Sequence, residues 1–133
     1  MTRDDFRALV TAAIDTIPEQ FASAINNVAI VVEDRPSPEL LREMEMEDGD
    51  LMGLYQGTPL TERGSGYGNQ LPDQITLFKQ PIESACEGDE DCIVEEIGMT
   101  LIHELGHYFG MSEDEIMAVE DQYWYGGEDD EGA

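Results

Sequence analysis

Apolar residues recur at helical spacing near both ends of the chain and bunch into short β-branched runs between them. In residues 3–17, Phe6, Leu9, Val10, Ala13, Ile14 and Ile17 share one face of a 3.6-residue helix, and Pro18 marks a break or a new helix. Residues 28–32 form a continuous β-branched run closed by Arg35-Pro36-Ser37-Pro38, which predicts a central strand covered by that first helix. Residues 51–56 and 74–79 read as two further strands, joined flexibly through 64–68. The acidic stretch 39–50 suits a frayed helix or a mobile loop. Helical spacing returns over 91–110, where Val94, Ile97, Leu101, Leu105, Tyr108 and Phe109 form a broad apolar face. Glu96, Thr100, His103 and His107 lie on the opposite face. The pattern predicts a small α+β domain.

The polar stripe of that last helix carries the chemistry. His103 and His107 are the two histidines of the chain, and the segment reads His103-Glu104-Leu105-Gly106-His107. Four residues on a helix advance roughly 400°, so both imidazoles return to one face, one turn apart, and can reach a single Zn²⁺. Glu104 points about 100° away around the helix. Its carboxylate then stands beside the metal, where it can deprotonate a zinc-bound water as a general base. A structural histidine pair would belong on the apolar face, and these two do not.

Catalytic zinc takes three protein ligands and a water, so a third ligand is required. With no further histidine, it must be an oxygen or sulfur donor. Gly110 is suited to the left-handed conformation that stops a helix, after which the chain reverses and Glu113 swings back toward the metal. Asp114 is the second candidate, and Glu120 and Asp121 are distant. The spacing is similar to the extended metzincin motif, with Glu113 in place of its third histidine. Ser112 and Glu115 also form a capping box for a helix through Ile116, Met117 and Val119, which can coexist with ligation by Glu113.

On these residues the chain resembles the small bacterial zincin-like metallopeptidases, which carry the motif with an acidic residue at the third-ligand position. The resemblance extends to residues 53–63, similar to the family's upstream strand and turn, and to 71–78, similar to its second strand, and covers most of 25–124. It implies a minimal zincin fold, a short twisted sheet packed on the active-site helix, and peptidase activity. In zincins an edge strand beside that helix holds an extended peptide by backbone hydrogen bonds; residues 51–56 are the candidate, and an ordinary structural edge is an equal reading. For an oxyanion stabiliser Tyr67, Tyr108, Tyr123 and Tyr125 are available, although Tyr108 falls on the apolar face. Met117 is a weak candidate for a methionine beneath the metal. The competing reading is a vestigial zincin that serves as a metal-stabilised interaction module.

At 133 residues and 41% hydrophobic content the chain suits one domain over 1–127, with 128–133 as an acidic disordered tail. The formal net charge of −25, from 31 acidic and 6 basic residues, argues against nucleic acid and anionic membranes as partners. It would steer a basic peptide or protein substrate, though such charge commonly serves only solubility. No signal peptide or membrane-length apolar run is evident, so a cytoplasmic setting is expected. In that setting Cys86 and Cys92 are expected to be reduced, although a disulfide pinning the start of the 91–110 helix is geometrically open to them. The acidic residues between them read as a solvated turn.

Overall fold

The computed structural model describes residues 1–47, 49–57 and 73–132, with side chains through residue 123. Among these the elements run α1 (Arg3–Ile14), α2 (Glu19–Ala22), a 3-10 turn (Ser23–Asn27), β1 (Ala29–Glu33), α3 (Pro38–Met44), β2 (Gly53–Gln56), β3 (Gln74–Phe78), α4 (Lys79–Ala85), α5 (Glu90–Phe109) and α6 (Glu113–Gly132). The α+β class is as the pattern predicts. The links at 58–72, including Gly64 to Gly68 and Tyr67, lie outside the described residues.

The sheet has the order β1-β3-β2, with β1 parallel and β2 antiparallel to β3. The central strand is therefore β3, not β1, which corrects the sequence expectation. The burial of the two explains the order: four of five β3 residues are buried, whereas in β1 only Val32 is. A run of β-branched residues shows that a strand is apolar, but neighbours on both sides are what make it central. As expected, β2 is an edge strand.

The core lies between the sheet and α5. Phe6, Val10 and Ala13 of α1 and Ile82 of α4 join Ile93, Ile97, Leu101, Ile102 and Leu105 of α5 and Ile75 and Leu77 of β3. Each such side chain contributes about 1.5–3 kcal/mol by leaving water. The first helix starts at a capping box between Thr2 and Asp5 and ends at Ile14, before Pro18 opens α2. Pro38 in the first turn and the Ser37 cap turn the start of the acidic 39–50 stretch into α3, which stops at Glu45 in a left-handed conformation.

The backbone of α6 continues through Gly132. Cys86, at the end of α4, and Cys92, in the first turn of α5, form a disulfide instead of remaining reduced. The pairing bridges the 87–91 turn and ties the two helices, and it is of the kind that persists in oxidising compartments. No helix among the described residues is long and apolar enough to cross a membrane.

Candidate metal centre

Helix α5 presents His103, Glu104 and His107 over its last two turns and ends at Gly110, whose φ of 75° is the left-handed stop expected there. The chain then reverses into α6 through a capping box: Ser112 Oγ accepts from the Glu115 N–H at 3.2 Å, and the Glu115 carboxylate accepts from the Ser112 N–H at 2.9 Å. The Ser112 N–H, and after it the Ser112 hydroxyl, hold the Glu115 carboxyl below its ordinary pKa. Gly106, inside the motif, lets α6 start hard against α5, because a Cβ there would run into the Ile116 side chain. Ile116 is fully buried, and its anchoring brings the first residue of α6, Glu113, over the two histidines.

Glu113 Oε1 lies 3.4 Å from His107 Nε2, and Glu113 Oε2 lies 3.8 Å from His103 Nε2. The ligand atoms of His103, His107 and Glu113 are all within 4.8 Å of one another, a group that could hold a metal ion. The buried His107 Nε2 makes no hydrogen bond, even to the carboxylate beside it. A buried imidazole nitrogen without a partner, next to a carboxylate and a second imidazole, fits the donor set of a metal site. Asp114 and Asp121, the other nearby acids considered, are exposed and outside the group.

Glu104 is not one of the three but lines the same cleft as the two histidines. It is buried, and its Oε1 accepts the Tyr55 N–H of β2 at 2.8 Å. Burial raises the Glu104 pKa above its ordinary value, partly opposed by the Tyr55 N–H and by the neighbouring histidines. The Tyr55 ring is fixed in turn by its hydroxyl, which donates to Asp73 Oδ1 at 2.9 Å, and by edge contact with Tyr108.

Glu120, expected to be distant, is part of the site. Its Oε1 lies 3.0 Å from His103 Nδ1. As Glu120 is seven residues beyond Glu113 on α6, two turns carry it back to α5. With Nδ1–H donating to Glu120, Nε2 of His103 is left as the metal-facing atom. Burial disfavours charge on His103, but the Glu120 hydrogen bond and the carboxylates of Glu104, Glu120 and Glu113 outweigh it and raise the histidine's pKa.

The site opens into a cleft of about 470 Å³ floored by the polar stripe of α5, including Glu96 and Thr100, and walled by β2 and the segment before it. Met117 is 56% exposed, which rules it out as the methionine beneath the metal. Tyr108 is buried in the core, as its phase implied, and Tyr123 bonds to Thr16 at the other end of α1. Tyr67 and the side chain of Tyr125 fall outside the described residues.

A family model described as zincin-like metallopeptidase matches residues 25–123. The chain belongs to the zincin-like metallopeptidases. The match takes in the whole sheet, α5 and α6 as far as Tyr123, and so every residue of the candidate centre lies within the zincin region. No curated protein matches the chain.

Proposed function

We propose that the protein is a zinc-dependent peptidase in which His103, His107 and Glu113 hold the metal and Glu104 is the general base. The observation that carries this reading is the convergence of two imidazole Nε2 atoms and one carboxylate, beside a buried glutamate that is not among them. The two Glu113 oxygens lie 3.4 and 3.8 Å from the two histidine Nε2 atoms, and one ligand atom from each of the three residues falls within 4.8 Å of the others, close enough for one zinc ion to be shared. Two nitrogens and one oxygen, with a fourth position left open, are the donor set of a catalytic rather than a structural zinc.

When bound, zinc supplies a Lewis acid that polarises the scissile carbonyl and makes a water acidic near neutral pH. The protein's own residues do the rest. Glu104 Oε1 is held by the Tyr55 N–H, so Oε2 is the oxygen that takes the proton from the attacking water and delivers it to the leaving amine. The raised pKa suits that exchange, because a carboxyl that is too weak a base cannot take the proton. Glu120 keeps the His103 ring in the orientation and tautomer that expose Nε2. Substrate is an extended peptide running beside edge strand β2, where the outward N–H of Tyr55 is already spent on Glu104. Nucleic acid and anionic membranes are not partners, since a net charge of −25 repels both.

Burying an ionisable carboxylate at Glu104 costs stability that a purely structural metal site has no reason to incur, which favours an enzyme over an interaction module. The test is Glu104→Gln. The amide keeps an acceptor for Tyr55, so the variant should retain fold and zinc while peptide hydrolysis falls by roughly 10²- to 10⁴-fold. Hydrolysis at the wild-type rate would refute Glu104 as base.

A further inference from the structure

Four of the chain's seven methionines, Met44, Met46, Met52 and Met99, line the same cleft that holds His103, Glu104 and His107. Met52 also packs against the core, but Met44, Met46 and Met99 are not part of it: Met44 is 41% exposed at the end of α3, and Met46 and Met99 are only partly buried. An apolar side chain left in water beside a reactive site marks a surface that a ligand covers. Methionine, unbranched and polarizable, suits a wall that adapts to ligands of differing shape.

Acids stand next to the methionines. Asp50 lies in the segment between Met46 and Met52, and Glu96 lies on the α5 floor one turn before Met99 and Thr100. At 1.5 Å per helical residue, Met99 is about 6 Å and Glu96 about 10 Å along α5 from His103. An extended peptide advances about 3.3 Å per residue, so those offsets correspond to about two and three residues from the bond being cut. Among the described residues no lysine or arginine lines the cleft. Building on the peptidase reading, we propose that this cleft is a specificity subsite for peptides carrying a flexible apolar residue, leucine, methionine or phenylalanine, close to the scissile bond and a lysine or arginine one or two positions further out. The methionines receive the apolar side chain, and Glu96 with Asp50 receives the cation.

The test uses zinc-loaded full-length protein and blocked peptides of fixed length that vary those two positions. Cleavage is mapped by mass spectrometry on the wild type, and binding is read by fluorescence anisotropy on Glu104→Gln. The expected result is at least a roughly tenfold preference for apolar over small polar residues, the scale set by burying or withholding a few methylenes. Met99→Ser should reduce that preference, and Glu96→Lys should convert a preference for lysine into one for glutamate, both with zinc content unchanged. Should either substitution fail to fold, Met46→Ser tests the same wall from the segment before β2. Glu104-dependent cleavage without either preference would overturn the subsite and leave the peptidase standing. Selective binding without any cleavage would support the subsite and overturn the peptidase. Absence of both binding and cleavage across the set would overturn both.

Discussion

At the scale of single residues, the division of labour at the candidate centre depends on which atom each side chain turns toward the others. His103, Glu104 and His107 are set by one helix, so their relative directions follow from phase alone and were legible in the sequence. The return of Glu113 to the two histidines was legible for a related reason: Gly110 stops the helix and only two residues separate that stop from Glu113. Glu120 was not. Its part comes from a contact across 17 residues that depends on how α6 lies against α5, and in the sequence it is one more acid among 31. Because Glu120 acts through His103 rather than on the metal, Glu120→Ala should weaken zinc binding by roughly 10- to 100-fold, and Glu120→Gln, which retains an acceptor, should weaken it less. Competition against a calibrated chelator measures both. Equal affinity in Glu120→Ala and the wild type would show that the 3.0 Å contact orients nothing.

At the scale of elements, the site depends on how tightly α6 is held. Gly106 admits Ile116 at one point, and Tyr123 anchors the helix at another, its hydroxyl lying 2.8 Å from Thr16 Oγ1 and packed over Gly98. Burial raises the Tyr123 pKa above 10.0, with the Thr16 hydrogen bond opposing and Glu95 adding to the shift. A phenol whose folded pKa is raised stabilises the fold fully below its unfolded value, and that contribution is lost as pH rises from about 10 through the folded value. Tyr123→Phe should therefore cost about 0.5–1.5 kcal/mol at neutral pH, from the lost hydrogen bond, yet show a shallower loss of stability above pH 10 than the wild type. Denaturant melts across that range decide it, and parallel alkaline slopes would contradict the assignment. The capping box at Ser112 and Glu115 was readable because caps are local in sequence. Strand order was not, since β3 becomes central only through partners 45 and about 20 residues away. Helix α4 has just seven residues and carries Pro81 in its first turn, so it left no periodic signal to read.

At the scale of the whole molecule, a small sheet and one long helix suffice to place the candidate metal centre because each of its three residues comes from α5 or from the helix that doubles back onto it. Glu104 is steadied from the sheet by Tyr55, and the start of α5 is tied to α4 by the Cys86–Cys92 disulfide. The disulfide was misjudged from sequence because the expectation came from a presumed compartment, whereas the short acidic turn brings the two cysteines together regardless. The α+β class and the single core were legible because apolar periodicity reports burial directly. The chain's strongly negative field adds to the attraction for a divalent cation at the one place where imidazole nitrogens converge with a carboxylate among the described residues. The most direct test of the account is metal content by elemental analysis on protein purified without chelator or metal-affinity tag, for the wild type, His103→Ala, Glu113→Ala and Asp114→Ala. The account predicts about one zinc per chain in the wild type and Asp114→Ala, with strong loss in His103→Ala and Glu113→Ala. No zinc in the wild type after incubation with Zn²⁺, or equal loss in Glu113→Ala and Asp114→Ala, would contradict it.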